Sequence, residues 1–183
     1  RFHHHLVRDT VYGGLLKRAR VNLHIEFVRW ADQVAATHDR GLEIEEILGY
    51  HLEQAYRYLR EFGPLDEKGL AIGADAARRL TNSARRAEAR GDDHAAANLF
   101  QRAAAALPAD DAQRVELLPQ LGEALMRLGD FARARSVLQD AEAAADRISS
   151  QRIKASSQIV SMLVALYSGE AGDWGAEILK TAD

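Results

Sequence analysis

The chain has 183 residues, a formal net charge of −3, 47% hydrophobic and 28% charged residues, and no cysteine. These totals suit one compact domain or a short repeat array. They exclude disulfides and thiolate metal sites, give no general attraction for nucleic acid, and contain no apolar run near the roughly 20 residues that cross a membrane.

Residues 1–38 form the basic end, with Arg1, Arg8, Lys17, Arg18, Arg20 and Arg29. Leu6, Val7, Val11, Leu15 and Leu16 recur at three- and four-residue steps and predict a helix. Gly13-Gly14 predicts a break in it, because each glycine costs about 1 kcal/mol against alanine in a helix. A second helix follows, with Leu23, Phe27, Trp30 and Val34 as its expected packing face, fading by residues 37–41. The third helix spans 44–62, with an apolar stripe of Ile47, Leu48, His51, Leu52, Ala55, Tyr58 and Leu59. Gly63-Pro64 ends it and Asp66 caps the next. That fourth helix carries Leu70, Ile72, Ala76, Leu80, Ala84 and Ala87.

Two later stretches, 80–103 and 118–141, share one plan at a constant offset of 38 residues. Gly91-Asp92 corresponds to Gly129-Asp130, Ala96 to Ala134, Phe100 to Leu138 and Ala103 to Ala141. A fixed offset with small residues in register marks stacked helix-turn-helix repeats of tetratricopeptide type. Ala84 and Gly122 on the first helix of each unit, and Ala96 and Ala134 on the second, are expected where the helices cross closely. Phe100 and Leu138 are expected to fill the space between neighbouring units. A third, truncated unit is expected from Ile153, Ile159, Met162, Leu163 and Leu166, with its turn at Gly172-Asp173 and a second helix begun by Trp174, Ile178 and Leu179. The predicted fold is therefore all-α: antiparallel helix pairs stacked as a right-handed superhelix with a short helical lead-in. The divisions are 1–40, 41–75 and 76–183. Without an initiator methionine, a signal-peptide layout or a final cap, both ends read as cut from a longer chain.

The opening RFHHHLVRDTVYGGLLKRARVNLH resembles the segment that closes the winged helix of signal-transduction ATPases with numerous domains. Phe2, His4, Leu6, Val7, Arg8, Asp9, Tyr12, Leu15, Leu16, Lys17, Arg20, Leu23 and His24 meet that motif. The stretches ILGYHLEQAYRYLREFGPLDEKG and ARRAEARGDDHAAANLFQRAAAALP are similar to a branch with tetratricopeptide repeats. In that branch the ATPase shares a chain with an adenylate/guanylate cyclase or a LuxR-type DNA-binding domain. The likeness covers about residues 1–145 and implies a helical sensing arm of a cytoplasmic regulator. It also implies that His4 touches the phosphates of ADP when the ATPase domain is present. No Gly-x4-Gly-Lys-Ser/Thr loop occurs in this chain, so ATP or ADP belongs to the parent, and no cofactor is expected here.

Other residues invite sharper chemistry and do not sustain it. His3-His4-His5 point about 100° apart on a helix and cannot close on one ion. His24-Ile25-Glu26 and His51-Leu52-Glu53 are not H-E-x-x-H and read as hydrogen-bonding groups on or between helices. Glu45-Glu46 and Asp110-Asp111 suit helix N-termini. Ser149, Ser150, Ser156 and Ser157 lack an adjacent histidine, so no nucleophile is visible and no enzyme is expected. Lys17-Arg18-Ala19-Arg20 lacks the interleaved aromatics of a nucleic-acid surface.

The expected binding surface is the groove formed by the first helix of each unit. Its candidates are Arg78, Asn82, Arg85, Glu116, Gln120, Glu123 and Arg127, long polar side chains able to grip a protein or peptide. The partners expected are such a protein, the ATPase domain of the parent, and a second copy through the truncated last unit. The function expected is protein interaction and signal sensing. The rivals are a plain scaffold and the arm of a DNA-binding transcriptional regulator.

Overall fold

Alanine-rich runs punctuated by glycine-aspartate and glycine-proline pairs dictate helices joined by tight turns. The structure, a computed structural model, describes residues 13–38 and 41–169. The helices are α1 (Lys17–His38), α2 (Gly41–Glu61), α3 (Glu67–Ala89), α4 (Asp93–Ala105), α5 (Ala112–Arg127), α6 (Phe131–Arg147) and α7 (Gln151–Tyr167). No strand occurs among the described residues. The fold is all-α and repeat-like, with consecutive helices packed as pairs. It divides into two compact units, 1–83 and 84–183, with the boundary inside α3.

In the first unit the expected break falls at Leu15-Leu16, just after the two glycines. Arg20 satisfies the carbonyls freed there, donating to Gly13 O at 2.8 Å and Leu15 O at 3.1 Å. The rest of the basic cluster closes the α1–α2 hairpin. Lys17 pairs with Glu61, and Arg18 and Arg20 lie over the rings of Phe62 and Tyr58, each at 5.7 Å. Gly63, at φ +131°, ends the turn after α2. Asp66 caps α3, accepting from Gly69 N–H at 2.8 Å.

The face of α1 that packs is not the expected one. Val21, His24, Val28 and Ala31 are buried against α2, whereas Trp30 is 57% and Phe27 36% exposed, and Leu23 and Val34 are exposed with them. The helix carries two neighbouring apolar stripes, and one partner helix covers only one. The stripe with smaller side chains wins because it lets α2 approach through Leu48, Leu52 and Ala55, all buried. Ile47 and Leu70, also expected in apolar stripes, are exposed.

Arg79 joins the three helices of this unit. Its side chain is 7% exposed and bonds Asp32 on α1 and Glu45 on α2, each at 2.8 Å, and Asp75 one turn back on α3 at 3.2 Å. Burial works against the charge, but Asp75, Asp32 and Glu45 outweigh it and hold the guanidinium more firmly protonated than usual. Glu45 therefore serves a buried ion pair and not the helix end expected of it. Next to this knot Gly49 meets Leu80: a methyl added at Gly49 would lie 3.1 Å from the Leu80 side chain.

In the second unit the two glycine-aspartate turns are the same device. Gly91 and Gly129 take φ of +73° and +75°, a region costly for residues with a Cβ. Gly91 N–H donates to Glu88 O at 2.8 Å and Asp92 N–H to Ala87 O at 2.9 Å; Gly129 and Asp130 repeat this to Met126 O and Leu125 O at 2.9 and 3.0 Å. Each aspartate then caps the next helix, accepting from Ala95 N–H at 3.0 Å or Arg133 N–H at 3.2 Å. After α7, Gly169 also takes a positive φ, +77°, and its N–H donates to Leu166 O at 3.3 Å. This corrects the expected end of α7, which stops at Tyr167; Gly172-Asp173, Trp174, Ile178 and Leu179 lie outside the described residues. Between α6 and α7 the same backbone turn is built on Ser149, at φ +55°.

Ala84, Ala96, Phe100, Ala103, Ala134, Leu138 and Ala141 are all completely buried, as the repeat pattern requires. Leu138 does more than fill space between units: it lies on Gly122 of its own pair. Ala104, Leu118 and Ala141 join α4, α5 and α6, and Val115, Ala144, Ala145 and Ile153 join α5, α6 and α7. On α7 the buried stripe is Ile153, Ser157, Val160 and Val164, not the expected Ile159, Met162, Leu163 and Leu166, which are exposed. Ser157 sits in that stripe because its hydroxyl donates to Ile153 O at 2.9 Å. Pro119 lies inside α5, where it removes the N–H that Val115 O would accept; beside it, Gln120 Nε2 donates to Glu116 O at 3.1 Å.

Two outcomes follow from these contacts. A methyl at Gly122 would meet Leu138 Cδ2 at 2.7 Å and Cγ at 2.8 Å, with Leu138 fully enclosed. Gly122→Ala is expected to lower stability by about 1–2 kcal/mol despite its better helix propensity. Leu138→Val should recover part of the loss in a double-mutant cycle by urea denaturation. Arg79→Met, which leaves enclosed Glu45 with only the more distant Arg78 at 4.0 Å, is expected to cost about 3–5 kcal/mol; a loss under 1 kcal/mol would refute the role given to the knot.

Candidate functional site

The seven residues expected to line one groove fall into both units. Arg78 and Asn82 belong to the first, where Arg78 pairs with Asp75 and approaches Glu45 at 4.0 Å. Asn82 is half-buried. The other five stand on α3 and α5 in the second unit, and the structure pairs them with one another or with neighbouring helices. Arg85 Nε donates to Gln120 Oε1 at 3.3 Å. Arg127 bonds Glu123 at 2.8 Å, Asp93 at 2.7 Å, and Glu88 across on α3. Glu116 pairs with Arg152 on α7.

Three of these bonds, Arg85–Gln120, Arg127–Glu88 and Glu116–Arg152, run between the first (A-type) helices of successive pairs, α3 to α5 and α5 to α7, while Arg127 also reaches Asp93 on the second (B-type) helix α4 and Glu123 within α5. A matching link joins the B-type helices α4 and α6, where Arg133 donates to Gln101 at 2.9 Å. The A face is thus a polar strip whose charges alternate in sign and are already oriented. For Arg127, burial opposes the charge, and the bonds to Asp93, Glu88 and Glu123 overcome it and raise its pKa. Such a strip offers donors and acceptors in fixed places, which suits recognition of a peptide backbone or charged side chains. His4 lies outside the described residues.

The aspartates expected at a helix N-terminus divide two jobs. Asp111 caps α5, accepting from Gln113 N–H at 2.8 Å, while Asp110 takes Arg147 at 3.2 Å. Arg79 and Arg152 were not singled out by the sequence. Arg79 stands one turn after Asp75 beside the buried stripe of α3, and that spacing is the signal that could have flagged it.

The structure joins the two histidines that spacing alone kept apart. His24 of α1 and His51 of α2 place their Nδ1 atoms 2.7 Å apart, one donating and the other accepting. Tyr58 stacks near His24 with ring centroids at 6.3 Å, and Phe27 lies tilted against His51 at 4.3 Å. Burial, and then the neighbouring His51, lower the His24 pKa to about 4; burial also lowers that of His51. This is a hydrogen bond between helices, and among the described residues no group of three or more histidines or carboxylates is placed to hold a metal ion. Beside it, an apolar cavity of about 360 Å³ opens between α1 and α2, lined by Phe27, Trp30, Val34, Ile44, Ile47 and Leu48.

The histidine pair sets a pH dependence. Unfolded histidine takes up a proton below about pH 6.5, while folded His24 resists until about pH 4. The unfolded state then binds more protons in that window, so stability is fully present above pH 6.5 and falls as the pH drops toward 4. The loss from His24 should approach about 3 kcal/mol. His24→Gln with His51→Gln should flatten the difference in urea midpoint between pH 7 and pH 5; an unchanged slope would exclude the pair as its source.

Among the described residues no helix is long and apolar enough to cross a membrane. Comparison of the chain with protein families, curated proteins and solved structures finds no match.

Proposed function

We propose that this chain is a protein-interaction and signal-sensing module, the helical arm of a larger ATP-dependent signalling regulator. The observation that supports it is the polar strip of the second unit, where Arg85, Gln120, Glu116 and Arg127 are held by bonds from one A-type helix to the next and Glu123 is held by Arg127. A repeat array needs only its apolar layers to stack. A strip of oriented donors and acceptors on one face is what a protein or peptide ligand would read. The link to an ATPase, and to a cyclase or a DNA-binding output, rests on the likeness of residues 1–24 to the end of a winged helix. On that reading a partner seated on the strip biases the ATPase between closed and open states by binding one of them better.

The parent coding sequence and one variant test this. A Gly-x4-Gly-Lys-Ser/Thr loop is expected upstream in the same coding sequence. In the full-length protein, Arg85→Glu with Glu123→Lys should change ATP hydrolysis severalfold while helical content stays constant. An upstream sequence without that loop would remove the regulatory part. Hydrolysis indifferent to the charge swap would remove the strip from signalling and leave a plain scaffold.

A further inference from the structure

Resting on the reading of the polar strip as a binding face, we propose that the strip continues onto α7 and takes an extended protein segment with a side-chain carboxylate at one end and apolar side chains at the other. Arg152 ties α7 to the strip through Glu116. Ile159, Leu163 and Leu166 follow Arg152 by 7, 11 and 14 residues. At about 100° per residue, those spacings keep all three within roughly 40° of Arg152 around the helix. Ser161 and Ser168 stand on the opposite side, where they meet Glu142 and Arg135 of α6 at 3.3 and 2.8 Å. The Arg152 face therefore turns away from α6 and toward the strip. All three apolar residues on it are exposed, Ile159 and Leu166 at 59% and 60%. Stacking of α7 is already served by the separate buried stripe of Ile153, Ser157, Val160 and Val164.

Charge sets the other end. Along the strip, Arg127 and Arg152 are neutralised by carboxylates. Arg85 is not: its Nε donates to the neutral Gln120, and its two terminal nitrogens meet no acceptor among the described residues. An exposed guanidinium with its outer edge open is matched by a carboxylate, which it holds through two parallel bonds. Capture of a chain-terminal carboxylate relies on backbone N–H nests. Arg85 and Gln120 stand inside helices, where the N–H groups are already spent, so the carboxylate is that of an aspartate or glutamate side chain. Between the two ends α5 presents Glu116, Gln120 and Glu123, partners for a peptide backbone. A helical ligand keeps its N–H groups for itself, whereas an extended one offers them. Packed helices lie about 8–10 Å apart, so the path from α3 across α5 to α7 is roughly 16–20 Å, about five or six extended residues at about 3.3 Å each.

Fluorescence anisotropy of two labelled, end-capped peptides on the whole chain tests this. Each carries one glutamate and, about six residues before or after it, a leucine-serine-leucine triplet in a serine and threonine background. Saturable binding of at least one is expected. Arg85→Gln should weaken it about tenfold or more, and Ile159→Ser with Leu166→Ser severalfold, at unchanged helical content. The same peptide with glutamine for glutamate should bind the wild-type chain about as weakly as the glutamate peptide binds Arg85→Gln, and should lose little more to that substitution. Tighter binding of a peptide whose single carboxylate is a free C-terminus would overturn the proposal, as would binding indifferent to Arg85→Gln or to the α7 pair. Preference for lysine in place of glutamate would overturn this partner and keep the strip as a binding face. Binding of none of the peptides would also overturn it, and ATP hydrolysis by the charge-swapped full-length protein then decides separately whether the strip signals.

Discussion

Close approach of helices through side chains of one carbon or none is the constraint on which both units rest. Gly122 has no room for a methyl against Leu138, and Gly49 has little against Leu80. Ala55, Ala76, Ala96 and Ala134 are wholly enclosed at comparable places. A small residue loses little side-chain entropy on burial, and it lets a large one from the facing helix fill the gap. Much of this chain's alanine is therefore a packing choice as well as a helix-forming one.

The polar interactions divide by depth, and the depth sets their worth. Arg79 is enclosed with three carboxylates from three helices. Its value lies in making any other arrangement of those helices costly, because Arg79 and Glu45 left without each other would be enclosed charges, at 7% and 14% exposure. The strip around Arg127 is shallower, with that side chain 30% exposed. Bonds there stabilise weakly, so a ligand can exchange them for its own without unfolding the unit. Exposed carboxylates and guanidiniums in fixed positions suit recognition better than they suit stability.

The repeats were legible in the sequence because their turns and crossings tolerate few residues. A positive φ followed by a helix cap all but specifies glycine then aspartate, and an offset of 38 recurs only if the geometry does. The orientation of α1 was not legible. Leu23, Phe27, Trp30 and Val34 are bulkier than Val21, His24, Val28 and Ala31, and hydrophobicity alone ranks the bulkier stripe first. What decided otherwise was the fit to α2, whose buried Leu48 and Leu52 approach closely over the smaller side chains of α1, a property of the pair. Arg79 was hidden among Arg78, Arg85 and Arg86, which the same sequence pattern cannot rank. The end of α7 at Tyr167 was not legible either, because Ser168-Gly169 lacks the aspartate that marks the earlier turns. Within the strip, the sequence identified Arg85, Gln120 and Arg127 by register but not their bonding to one another, which depends on how far each side chain reaches.

The turn at Gly91-Asp92, and its copy at Gly129-Asp130, closes one helix and opens the next using only backbone groups and the aspartate side chain, all within five residues. Nothing in that hinge depends on what lies across the array. A stretch of coding sequence carrying such a joint and its two helices can be duplicated in tandem, and the new copy arrives with its corner already made. Lengthening the array then asks natural selection to refit only the side chains between adjoining units, which makes the number of units one of the easiest features of this architecture to change.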